Sequence, residues 1–135
     1  MAYNIIDIEG IGPVYAEKLG VVGIKTVEAL LEAGASKKGR DEIAEKTGIG
    51  YAHILRWVNM ADLFRIKGVA EETSDLLEKA GVDTVKELRN RNAENLHAKL
   101  VAVNEEFNLS GRVPSLSQVE GFIAQAKELA PTVTH

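Results

Sequence analysis

The sequence predicts an all-α protein made of two tandem helical units, and three observations predict it. A shift of 58 residues, the separation of Gly10 from Gly68, aligns IEGIGPVYAEKLGVVGIKTVEAL (8–30) with IKGVAEETSDLLEKAGVDTVKEL (66–88) without a gap. Internal repetition of this kind marks a duplicated supersecondary unit. Apolar residues recur at helical spacing, and runs such as NIIDI (4–8) are too short or too helical in period to build a sheet. Capping residues stand before the periodic segments and glycines stand after them.

Each element follows from its own residues. Pro13 suits a first helical turn, where a missing N–H costs nothing. Ala16 and Leu19 then share one face. Gly23, and Gly81 in the repeat, fit C-terminal turns that need left-handed backbone. Thr26 caps VEALLEAG. GRDEIAEKTGIG (39–50) gives a short helix ended by Gly48, and YAHILRWVNMADLF a longer one with Ile54, Leu55, Val58 and Ala61 inward. In the second copy, Thr84 with Glu87 and Ser117 with Glu120 spell capping boxes. Asn92 caps AENLHAKLVAVNEEF. The end of each unit aligns more loosely: ILRWVNMADL (54–63) matches VEGFIAQAKEL (119–129), with Trp57 opposite Phe122 after about seven extra residues near FNLSGRVPS. The expected organisation is one unit over 1–62, a diverged unit over 63–130, and a frayed tail over 131–135. WVNMADLFRIKGV runs between the units with no Pro/Ser-rich linker, so rigid packing around Leu63, Phe64 and Ile66 is expected.

Composition narrows the function classes. A hydrophobic content of 45% fits a globular protein. No apolar run approaches the roughly 20 residues of a membrane span. The N-terminus has no basic stretch followed by an apolar one, so no secretory signal is read. Absence of cysteine excludes disulfides, thiolate catalysis and the usual structural zinc sites. These features point to the cytoplasm. The net charge of −4 argues against strong non-specific DNA binding, although local patches matter more than the sum. Aromatic content of 5% disfavours a base-stacking platform.

The order IEGIGPVYAEKL, GIKTVEALLEAG, EIAEKTGIG, ILRWVNMA resembles the small helix-hairpin-helix (SAM-like) domains of five-helix type. It looks most like the N-terminal domain of archaeal and eukaryotic recombinases and the C-terminal domain of the bacterial RNA polymerase alpha subunit. The duplicated arrangement, with WVNMADLFRIKGV and GVDTVKELRNRNAENL, is similar to an uncharacterised bacterial family known only as a domain of unknown function. The resemblance covers about residues 4 to 129. It implies that hairpin amides and the following helix start hold a DNA phosphate. Free amides and the partial positive charge of a helix start suit an anion. The matching positions are Gly10, Ile11 and Gly12, with Lys18 as a charge partner. Relatives also coordinate monovalent cations through hairpin carbonyls, which leaves potassium or sodium open here.

Further candidates come from the residues. Gly48, Ile49 and Gly50 form a second Gly-Ile-Gly turn, flanked by Lys46 and Arg56. Lys37, Lys38 and Arg40 in SKKGR read as a basic loop able to track a phosphate backbone, with Arg89 and Arg91 in the equivalent loop of the repeat. Each of these has a plain alternative, an interhelical turn or a solvated charged loop. Val14-Tyr15 after the proline favours a protein surface over a phosphate, and Glu71 and Glu72 in the second hairpin, where Ala70 replaces the second glycine, repel one. Ser110, Gly111 and Arg112 in the distal loop of the second unit bind an anion or are simply solvated. His53, His97 and His135 sit in no ligand-spacing motif, and no nucleophile–base pair is evident. His53 reads as a helix-surface residue and Trp57 as core. The expectation is a non-enzymatic binding module with no cofactor, metal or small-molecule substrate and no membrane contact. Its partner is DNA backbone, or alternatively a protein or a second copy.

Overall fold

The computed structural model describes residues 3–69, 71–108 and 111–134. Among them the chain is all-helical, with no strand and only an isolated bridge between Asn4 and Thr26. It divides into two compact units. One runs to Asp62 and regains the chain at Thr132, and the other is Leu63–Pro131.

The first unit begins with a 3-10 turn, Ile5–Asp7, closed by a capping box between Asn4 and Asp7. Four α-helices follow: α1 (Pro13–Val21), α2 (Val27–Gly34), α3 (Lys37–Thr47) and α4 (Tyr51–Leu63), the last ending one residue past the division. Thr26 Oγ1 accepts from the Ala29 amide at 3.1 Å and starts α2. Ser36 Oγ accepts from the Gly39 amide at 3.1 Å and starts α3 two residues before the glycine where the sequence reading opens that helix. The helices close over Leu19, Leu30, Ile54, Trp57 and Val58, each at most 1% exposed.

The second unit repeats this plan with α5 (Glu71–Lys79), α6 (Val85–Leu88), α7 (Ala93–Phe107) and α8 (Leu116–Glu128). The starts of α5 and α6 fall 58 residues after those of α1 and α2. The turn bonds recur too: Ile11 N to Ile8 O at 3.1 Å is matched by Val69 N to Ile66 O at 3.2 Å. Helix α8 has the 13 residues of α4, displaced by 65. Helix α6 is half the length of α2, because Asn92 already caps α7 by accepting from the Asn95 amide at 3.0 Å. The core here is Leu76, Leu77, Leu88, Leu100 and Val119, all fully buried.

Three expectations are corrected. The box at the start of α8 is Ser115 with Gln118, not Ser117 with Glu120: Ser115 Oγ accepts from the Gln118 amide at 3.2 Å while Gln118 Oε1 accepts from the Ser115 amide at 2.9 Å. Ser117 is already helical. Only half the box at Thr84 forms. Thr84 Oγ1 accepts from the Glu87 amide at 3.2 Å, but Glu87 Oε1 binds Arg91 Nη2 at 2.8 Å instead of reaching back. The tail does not fray over Thr132–Thr134. Val133 is 7% exposed, and the Thr134 amide donates to Ala35 O at 2.8 Å. Ala70, Ser110 and His135 lie outside the described residues.

Candidate functional site

Both Gly-Ile-Gly turns of the first unit use one construction. Gly10 and Gly48 take left-handed backbone, φ +95° and +74°. Ile11 and Ile49 are 3% and 4% exposed and anchor the turns in the core. Gly12 and Gly50 then lead into α1 and α4. Gly12 is the N-cap of α1 and provides no side-chain bond. Pro13 has no N–H, so the amides of Val14 and Tyr15 are left without a capping group; the first helical bond is Ala16 N to Gly12 O at 2.9 Å. Gly50 O accepts from His53 N and Ile54 N at 3.1 and 3.3 Å, and Gly50 itself has no side chain with which to cap α4.

These two helix starts stand side by side. Tyr15 and His53, each the third residue of its helix, have ring centroids 5.9 Å apart. Trp57 lies beneath both, 5.0 Å from the Tyr15 ring and 5.7 Å from the His53 ring. Trp57 is 1% exposed and belongs to the core, whereas His53 is exposed. Gly10 is required twice over. Its φ disfavours any Cβ, and a Cβ there would stand 3.2 Å from Trp57 Nε1 and 3.1 Å from Arg56 Nη1. Arg56 Nη1 donates to Glu9 O at 3.2 Å, which sets a guanidinium against the Gly10 turn. In the sequence the residues of this three-ring cluster stand apart, Tyr15 some forty positions before His53 and Trp57. The His53–Trp57 spacing of about one helical turn is the local signal of the cluster.

The basic residues fare unequally. Lys37 and Lys38 are exposed, but they open α3 rather than lie in a loop. Lys37 Nζ bonds Asp41 Oδ2 at 3.0 Å, which raises the ammonium pKa above its ordinary value. The same Nζ lies 5.5 Å from the centre of the Tyr51 ring, so Lys37 flanks the residue that follows the second glycine turn. Lys18 is in the last turn of α1, about 7.5 Å along the axis from Pro13, where a cation offsets the carbonyl end of the helix.

Arg40 is a correction, because it is fully buried. Nη1 donates to Gly34 O and Ala35 O at 2.9 and 3.0 Å, Nη2 to Thr134 O at 2.6 Å, and Nε to Tyr51 Oη at 3.1 Å. The guanidinium caps the carbonyl end of α2, a place that favours a cation, and ties the tail to it. The signal lay in the period: Arg40, Ile43 and Thr47 share one stripe of α3, and Ile43 is 5% exposed. In the second unit Arg91 is likewise occupied, with Glu87 and with Gly81 O at 3.0 Å.

The first unit thus brings together two glycine-led helix starts, Arg56 and Lys37, while Arg40 is internal and Lys18 stands at the far end of α1. The second unit keeps only Gly68, φ +94°, and buried Val69 from this arrangement, with Glu71 and Glu72 in the first turn of α5. Among the described residues no group of three His, Asp or Glu is placed to hold a metal ion, and no helix is long and apolar enough to cross a membrane.

No solved structure matches the chain. The family described as Domain of unknown function (DUF4332) matches residues 9–129, and the protein belongs to that family.

Proposed function

We propose that the first unit is a helix-hairpin-helix module that holds nucleic-acid backbone weakly, without sequence preference and without catalysis, in the cytoplasm. The observation that carries this reading is the pairing of two glycine-led helix starts, with Tyr15 and His53 in contact and Arg56 and Lys37 at their margins. Free amides at a helix start bind a phosphate oxygen, and glycine lets it approach. Contacts of this kind position a protein on a backbone and carry no base information. With Arg40 internal, the charge contribution is small, which fits weak binding.

Anisotropy of a labelled DNA duplex at about 50 mM and about 200 mM salt tests the reading, since electrostatic binding should fall steeply between them. Gly12→Ser and Gly50→Ser sharpen the test. Nothing lies within 4 Å of a Cβ at Gly12, and only His53 Cδ2, at 3.7 Å, does so at Gly50. A serine hydroxyl there takes the amide that a phosphate would use. Both variants should stay folded and bind several-fold more weakly. Absence of duplex binding at the lower salt, or full binding by both variants, defeats the proposal.

One observation favours a second reading, a protein-interaction surface. Val14 and Val21, seven residues apart and so on one face of α1, are 66% and 82% exposed. Static light scattering across a concentration series addresses self-association through it.

A further inference from the structure

The repeat places one more feature in register. Gly10, Tyr15, His53 and Trp57 of the first unit correspond, at the shifts of 58 and 65 that relate the helices, to Gly68, Thr73, Gln118 and Phe122 of the second. The frame is the same in both. A Cβ on Gly68 would stand 3.0 Å from Phe122 Cε1, as one on Gly10 would stand 3.2 Å from Trp57 Nε1. The filling differs. In the first unit the Tyr15 and His53 rings occupy the place over Trp57. In the second, Thr73 is smaller than Tyr15 and Gln118 turns its Oε1 back to the Ser115 amide at 2.9 Å, leaving an open pocket of about 200 Å³ floored by Phe122 and walled by Arg112 and Pro114.

We propose that this cavity is a binding site for a tyrosine- or histidine-type ring carried by a partner polypeptide. Three features support that chemistry. The size fits, since an engineered apolar cavity of about 150 Å³ holds benzene. The floor is a buried Phe122 ring, against which another ring packs edge or offset. The walls supply hydrogen-bonding groups for a polar ring edge, the Thr73 hydroxyl and the amide NH2 of Gln118, whose Oε1 is already held by the Ser115 amide at 2.9 Å. A side chain entering over Phe122 would repeat between two chains the packing that Tyr15 makes within one. The proposal is independent of backbone binding by the first unit.

The test is an amide NMR titration of the whole chain with N-acetyl-tyrosinamide and N-acetyl-histidinamide, and with adenosine as the competing class. Saturable shifts at Gly68, Thr73, Val113 and Phe122, with those of the first unit unmoved, are expected with at least one of the two amino-acid probes. Thr73→Tyr fills the cavity from within, as Tyr15 does in the first unit, and should abolish these shifts. Arg112→Ala removes one wall at an exposed position and should weaken binding several-fold, which keeps the test decisive if Thr73→Tyr folds poorly. No saturable shift, or shifts indifferent to both variants, overturns the proposal. Saturation by adenosine but by neither amino-acid probe also overturns it and reassigns the cavity to a nucleobase.

Discussion

Replacing Arg40 by alanine removes a guanidinium that no water reaches and that four acceptors share. The acceptors do not suffer equally. Ala35 O keeps the Thr134 amide at 2.8 Å, while Gly34 O and Thr134 O lose the guanidinium bond. Two acceptors deprived of a partner cost about 1–2 kcal/mol each, and the lost packing of the stem against Tyr51 and Gly34 adds about 1 kcal/mol, giving a loss of about 3–5 kcal/mol. That is a large share of the roughly 5–15 kcal/mol that holds a domain folded. Trp57 is the only tryptophan and lies in the same unit, so its fluorescence reports urea unfolding there. At a typical slope of about 2 kcal/mol per molar, the midpoint should fall by about 1.5–2.5 M. The Thr134 amide should exchange with solvent faster, because the tail loses its clamp. Arg40→Lys should recover only part of the loss, since an ammonium cannot match the planar fork. A midpoint within about 0.5 M of the parent, with Thr134 exchange unchanged, would refute the argument that Arg40 is a structural cap. Lys37→Ala with Lys38→Ala serves as the control: it removes only the exposed Lys37–Asp41 pair, so it should lower the midpoint far less than Arg40→Ala while weakening any duplex binding.

Other outcomes follow from single contacts. Gly10→Ala places a Cβ at φ +95°, close to Arg56 and Trp57, and should lower stability by about 2 kcal/mol in urea unfolding. Ser115→Ala breaks the capping box of α8 and should cost about 1 kcal/mol by the same assay, whereas Ser117→Ala should be close to neutral. Ending the chain before Thr132 exposes the core around Val133 and leaves Arg40 short of one acceptor, so it should lower the midpoint in the same direction as Arg40→Ala. The Lys37–Asp41 bond raises the lysine pKa in the folded chain, so its stabilisation is present below about pH 10.5 and is lost as pH rises through the folded value. Asp41→Asn should flatten that alkaline part of the stability curve.

Much of the fold is legible in local residue chemistry. Thr26 and Asn92 accept from the amides that a cap must satisfy, and Gly23, Gly48 and Gly81 adopt the left-handed backbone that ends a helix. These interactions join residues two to four positions apart, so the sequence alone states them. The displacement of seven residues between the two halves of the repeat is equally plain, and α4 and α8 obey it to the residue. Half of the candidate site is legible for the same reason, because the Gly-Ile-Gly turns are local. The rest depends on groups that arrive from far along the chain. Arg40 looks like part of a solvated basic cluster until Thr134, 94 residues away, brings a carbonyl to it. Tyr15 and His53 become a pair only when α1 and α4 pack within the first unit. Thr73 and Gln118 line an opening because Thr73 is smaller than Tyr15 and the Gln118 side chain turns back to the Ser115 amide. The sequence by itself determined the helices, their ends and their duplication, which rest on short-range hydrogen bonds and helical period. Only the tertiary structure decided which charges face water and where the repeat leaves room, because burial is set by what packs across the core.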